Sequence, residues 1–165
     1  MDIERVRRFP LSPGVMLGIG LGGFVDGIVL HQILQWHHML TSAGYPADSV
    51  SNLTLNTLAD GLFHAATWIA TAIGLYLLHR AVRHGATWSG RRLFGGMLIG
   101  FGGFNLVEGV VDHHVLGLHH VREAAANPLV WDIGFLVVGA LLVVAGHALA
   151  RSDTQRAGVS LRRAA

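Results

Sequence analysis

Four long apolar stretches, each interrupted or bounded by acids and imidazoles, constrain this chain more than any other feature. They run over 14–38, 57–80, 93–120 and 129–150. Crossing the ~30 Å hydrocarbon core of a bilayer takes ~20 helical residues, and each stretch is that long. They are too long for barrel strands and lack period-two alternation. The first holds Asp26 and His31 and is followed by no small-residue cleavage pattern, so it does not read as a signal peptide. Charged residues make up 13% of the chain, against about 25% in a soluble domain. That is too little polar surface for a soluble enzyme or a disordered chain. Cysteine is absent, which excludes disulfide staples and thiolate chemistry. A net charge of +2 is too small to suggest nucleic acid as a partner. The expected fold is all-α: one integral-membrane four-helix bundle over 1–165, made of two tandem helical hairpins in the same orientation.

Arginine placement predicts the direction of insertion. All 12 basic residues are Arg. Arg5, Arg7 and Arg8 precede the first span. Arg80, Arg83, Arg91 and Arg92 lie between the second and third. Arg151, Arg156, Arg162 and Arg163 follow the fourth, and Arg122 alone lies on the other side. The positive-inside rule then puts both termini in the cytoplasm. Trp36 and Trp131 fall near the outer interface and Trp88 near the inner one, while Trp68 is expected in the core.

The first and third spans match each other. Gly20-Leu21-Gly22-Gly23-Phe24 reads against Gly100-Phe101-Gly102-Gly103-Phe104. After a two-residue shift Asp26 falls on Glu108, His31 on His113, and His37-His38 on His119-His120. The second and fourth match more weakly, through Asp60 and Asp132. Two helices per repeat predict a parallel repeat about the membrane normal. Gly14, Gly18, Gly22, Gly96 and Gly100 stand four apart in their rows. Such spacing lets helix backbones approach where lipid gives no hydrophobic drive.

The chain has 11 His. His31, His37, His38, His64, His113, His114, His119 and His120 gather in the outer halves of their spans, with Asp26, Asp60, Glu108, Asp112 and Asp132. An acid within a span costs about 2.5–3.5 kcal/mol even on the mildest scale, so each needs a reason. At about 100° per residue, Asp26 and His37 share one stripe of the first helix, and His31 and His38 another. Glu108, Asp112 and His119 share a stripe of the third, with His113 and His120 on a second and His114 pointing away. Imidazole with carboxylate suits iron, copper, zinc or manganese, and the lack of thiolates weighs against Cu(I) storage. The candidate ligands for one or two such ions are Asp26, His31, His37, His38, Asp60, His64, Glu108, Asp112, His113, His119 and His120. His79, His84 and His147 lie at the other ends and are given no role. A proton or ion path is the competing use of Asp and His in a membrane. Below Asp26 the first span offers only Gly and apolar residues, which weakens it.

The runs Gly22-Gly23-Phe24-Val25-Asp26-Gly27, Trp36-His37-His38, Asp60-Gly61-Leu62-Phe63-His64, Glu108-Gly109 and Asp112-His113-His114 carry a resemblance. The chain resembles a bacterial family of four-helix membrane proteins classed as a domain of unknown function. The resemblance implies the fold and the bacterial inner membrane, and no established activity. Similarity to companions of cytochrome-oxidase assembly factors would imply copper and a respiratory-chain or metal-delivery partner. Two classes of function stay open. One is a redox metalloenzyme with a di-iron or copper centre; the other is a protein that binds, delivers or moves copper, iron or zinc. Beyond the lipid bilayer, a second copy of the chain is the other expected partner.

Overall fold

The structure, a computed structural model, describes residues 7–164, with side chains through residue 152. Arg5 lies outside the described residues, as do the side chains of Arg156, Arg162 and Arg163. Four helices are long and apolar enough to cross a membrane: Ser12–Ile33, Val50–Arg83, Gly90–Val115 and Pro128–Ser152. The first is regular α-helix over Ser12–Phe24 (α1) and widens into a π-helical segment over Val25–Ile33. Val50–Arg83 forms α2. Gly90–Glu108 forms α3 and widens likewise over Gly109–Val115. Pro128–Ala164 forms α4. Ser49 and Ser89 cap α2 and α3, their hydroxyls accepting from the amides of Asn52 and Arg92 at 3.2 and 3.1 Å, as short polar side chains do at helix starts.

The helices stand in a row. The backbones of α1 and α3 pack together, α2 packs on α1, and α4 on α3; among the described residues the backbones of α2 and α4 do not meet. Burial agrees: half of the first span is buried, against 17% of the second and fourth. The expected bundle is therefore an open one, built on a central α1–α3 seam.

Glycine makes that seam. A Cβ placed on Gly14 would lie 2.3 Å from the Leu93 carbonyl oxygen, and one on Gly18 2.1 Å from that of Met97. A Cβ on Gly100 would lie 2.0 Å from the Val15 oxygen. No side chain fits in such gaps, and dispersion between close backbones replaces the hydrophobic drive that lipid removes. The outer helices follow the same logic. Gly20 sits against Thr67 and Thr71 of α2, and Gly102 against Gly139 of α4. Gly14 and Gly96, Gly18 and Gly100, and Gly20 and Gly102 occupy like places in these contacts, each pair separated in sequence by the same displacement as Asp26 and Glu108.

The molecule is polar inside and apolar outside. Among the described residues the buried apolar side chains are Phe9, Pro13, Leu17, Ala70, Leu93, Val121 and Ala150, fewer than the buried polar ones. Trp68 is 64% exposed, which corrects its expected place in the core: it faces outward with Leu62, Tyr76 and Val144. In lipid an exposed apolar side chain costs nothing, so burial ceases to sort residues by hydrophobicity. At the end away from the His cluster, Arg7–Arg8 and Ala86–Thr87 pair as two short parallel strands. Phe9 packs there on Leu17 and Leu93, edge-on to Trp88, with its carbonyl accepting from Arg92 Nε.

A candidate metal centre

Both π-helical segments end alike. The amide of Leu34 donates to the Val29 oxygen and that of Leu116 to the Val111 oxygen, both at 2.8 Å and both five residues back. Trp36 N–H then reaches the Leu30 oxygen at 2.9 Å, and Leu118 N–H the Asp112 oxygen at 2.8 Å. Between them Gln35 (φ 49°) and Gly117 (φ 58°) take the left-handed conformation. Among the described residues Gln35 is the only non-glycine that does, and such residues cluster at functional sites. The chain thereby leaves each helix axis and folds back over the helix ends. His37, His38, His119 and His120 ride on these folded-back segments rather than on helical stripes. π-Helical turns are themselves rare and concentrate at functional sites.

Asp60 of α2 and Asp132 of α4 anchor the two segments. Asp60 Oδ1 accepts from Met39 N–H at 2.9 Å, and Asp132 Oδ1 from Val121 N–H at 2.9 Å. Asp60 Oδ2 accepts from His38 Nδ1 at 2.7 Å, and Asp132 Oδ2 from His120 Nδ1 at 2.6 Å. Arg122 then lies over the rings of Trp36 and Trp131, 5.2 and 5.1 Å from their centroids. Asn56 ties down the rest of the first loop through Leu40 N–H and the Tyr45 oxygen.

Beneath this cover four imidazoles converge. His31 Nδ1 donates to Asp60 Oδ1 at 2.9 Å. His37 Nδ1 meets the carbonyl of Val121 at 2.8 Å, and His119 Nδ1 the carbonyl of Met39 at 3.2 Å. A carbonyl only accepts, so these two Nδ1 atoms carry the hydrogen, and in the neutral ring Nε2 is left as a bare lone pair. Those lone pairs face carboxylates. His119 Nε2 lies 3.2 Å from Glu108 Oε1, and His37 Nε2 lies 3.8 Å from Asp26 Oδ1. His31 Nε2 lies 3.1 Å from Asp26 Oδ2. His113 differs: its Nε2 bonds Glu108 Oε1 at 3.0 Å, while its Nδ1, 3.6 Å from Asp132 Oδ1, makes no hydrogen bond.

Lone pairs facing carboxylate oxygens repel unless a proton or a metal cation lies between them. Among the described residues the buried side-chain atoms without a hydrogen-bond partner are Asp26 Oδ2, His31 Nε2, His37 Nε2, Glu108 Oε2, His113 Nδ1 and Asn105 Oδ1; the first three are atoms of these facing pairs. His37, in the loop beyond the first span, is held neutral as well. Burial, reinforced by the facing imidazole of His119, lowers it to about 3. Two groups of ligand atoms lie within 4.8 Å of one another: His31 with His37 and His119, and Glu108 with His113 and His119. These groups are geometrically able to hold a metal ion. Imidazoles whose second nitrogen is fixed by a carboxylate or a carbonyl are the usual form of metal-ligating histidine.

The other sequence-expected residues fall elsewhere. Asp60 bonds the His31 ring directly, whereas His38 and His120 bond Asp60 and Asp132. His64 donates back to its own helix at the Asp60 carbonyl, 2.8 Å away, and packs against Phe24 and Phe63. Asp112 is half-buried and outside both groups. His114 is exposed and apart, as expected. Asp132, fully buried at 0% exposure, was missing from the expected ligand set; its match to Asp60 was the available signal.

No curated protein and no solved structure matches the chain. One family model does, that of the "Predicted membrane protein (DUF2243)" family, over residues 13–153. The chain therefore belongs to the DUF2243 family of membrane proteins.

Proposed function

We propose that this membrane protein holds one or two transition-metal ions on His31, His37, His113 and His119 with Asp26 and Glu108, as the centre of a redox enzyme. The observation that carries the reading is the direction of the rings. Three of the four Nδ1 atoms are engaged by Asp60, Val121 O and Met39 O, and the matching Nε2 lone pairs face the two buried acids. His119 belongs to both ligand groups, and its one free lone pair serves one ion at a time, which joins the two groups into a single site. Nitrogen and oxygen donors without sulfur favour iron, manganese, zinc or Cu(II) over Cu(I). Asp60 and Asp132 orient the rings; His64 and Asp112 are left out of the ligand set.

A resident cofactor fits the geometry better than cargo in transit, because the four rings are buried under the Arg122–Trp36–Trp131 cover. Delivery of copper, iron or zinc is the second reading. His120, whose side chain is 38% exposed and bonded to Asp132, is the entry that reading would use. The paired hydrogen bonds of the two halves support a tandem repeat of two like-oriented hairpins. The arginine distribution supports a bacterial inner-membrane location with both termini in the cytoplasm and the centre toward the outer face. Elemental analysis of the purified protein, with an absorption or spin-resonance spectrum, tests the proposal: bound metal at one or two ions per chain supports it. A preparation that carries none and takes up none at neutral pH returns the cluster to a proton path.

A further inference from the structure

Beside the α1–α3 seam lies a cavity of about 530 Å³, within the range of small-molecule sites. Val15 and Ile19 of α1 form one wall, and Gly100 and Gly103 leave the α3 wall flat. Phe63 and Phe104, with ring centroids 5.9 Å apart, close a third side. The rest is apolar except at the cluster end, where Glu108 and Asp112 line it. Val107 and Val111, also lining it, are exposed on the helix surface, so the cavity opens toward lipid.

Three facts say what fits. Glu108 is only 6% exposed, and while its Oε1 meets His113 and His119 its Oε2 has no partner. Asp112 has no counterpart in the first half: the displacement that carries Asp26 onto Glu108 puts Leu30 there. Both acids lie within the span Gly90–Val115, with Glu108 about two helical turns from its end, below the reach of a phospholipid headgroup. An occupant must therefore be lipid-soluble, flat enough for a wall of glycine and phenyl rings, and a hydrogen-bond donor toward carboxylates.

We infer that this cavity binds a lipid-soluble hydroquinone, its ring between the glycines and the phenylalanines and its hydroxyl donating to Glu108 and Asp112. The cavity stands on its own lining; its use as the substrate site of the metal centre, through Glu108, rests on the metal reading above. The test is anaerobic binding of a decyl-substituted benzohydroquinone to the full chain in detergent, by calorimetry, with the dimethyl ether of the same compound as control. Gly103→Leu fills the cavity, since a Cβ there meets nothing within 4 Å. Asp112→Leu installs the residue of the other half. Each variant should weaken binding at least tenfold with bound metal unchanged, and the ether should bind at least tenfold more weakly than the hydroquinone. Equal binding of ether and hydroquinone would mean that any lipid chain fills the cavity, and would overturn the inference. So would wild-type affinity in Gly103→Leu. Hydroquinone binding by a protein that takes up no metal would keep the cavity and sink the metal centre; metal without hydroquinone binding would do the reverse.

Discussion

The imidazoles of His37 and His119 lie 4.4 Å apart and within 5° of parallel, and each donates to a carbonyl of the opposite half, Val121 and Met39. The two halves thus lock one another: the ring from each loop is held by the other loop. Met39 and Val121 are also the residues whose amides are bound by Asp60 and Asp132. One peptide segment in each half therefore ties an outer-helix carboxylate to the ring of the other half.

On the proposed metal reading, that arrangement makes Asp60 and Asp132 determinants of affinity through the segments and rings they hold. Asp60→Asn and Asp132→Asn should each lower affinity about 10–100-fold, the usual cost of losing a partner that orients a ligating ring. Competition against a chelator of known strength measures this. His64→Ala, which leaves all these bonds in place, should match the wild type.

Stability in the metal-free state should fall in acid. His37 is lowered to about 3 by burial, so the folded ring stays neutral while an unfolded one takes a proton below about pH 6.5. The unfolded state then binds more protons, and stability is lost as pH drops from about 6.5 toward 3, by at most about 1.4 kcal/mol per pH unit from this group. A pH series of thermal midpoints in detergent should show a shallower slope for His37→Gln.

The glycine seam should tolerate no side chain where it meets backbone. Gly18→Leu should cost several degrees of thermal midpoint or prevent folding, because its Cβ would meet the Met97 carbonyl at 2.1 Å and packed backbones do not relax cheaply. Gly22→Leu should cost less, since its Cβ meets movable Phe101 and Phe104 rings at 2.8 and 3.1 Å. Gly61→Ala, with nothing within 4 Å, should be neutral.

The four spans were legible because lipid demands ~20 apolar residues per crossing, a signal read from composition alone. The clustering of acids and histidines was legible too: His31, His37, Glu108, His113 and His119, all singled out in the sequence, come together in two ligand groups. Stripe arithmetic failed where its premise failed: beyond Val25 and Gly109 the turns widen, and Gln35 and Gly117 swing His37 and His119 off their helices. This is why Asp112, on the expected stripe with His119, does not join it. Asp132 was undervalued because the second and fourth spans share little besides that acid and Asp60. His64 sits four residues from Asp60 on one face, and its Nδ1 bonds the Asp60 carbonyl of its own helix, but it lies in neither ligand group. The row of helices was not legible at all, because which outer helix meets which inner one depends on glycine contacts rather than on hydrophobic pattern.

Orientation can be read with single thiols, as the chain has no cysteine of its own. Ser42→Cys and Asn127→Cys should react with an impermeant reagent added to intact cells, and Ser89→Cys should not. The opposite pattern would place the centre at the cytoplasmic face.

The most direct test of the central claim is the metal content of the purified wild type beside His119→Ala, Glu108→Gln and His147→Ala. His119 belongs to both ligand groups, whereas His147 is exposed and bonded to its own helix at the Val143 carbonyl. The account predicts one or two ions per chain in the wild type and in His147→Ala, and a loss of most of them in the other two. Equal metal in all four proteins, or none in the wild type after incubation with iron, copper or zinc at neutral pH, would contradict it.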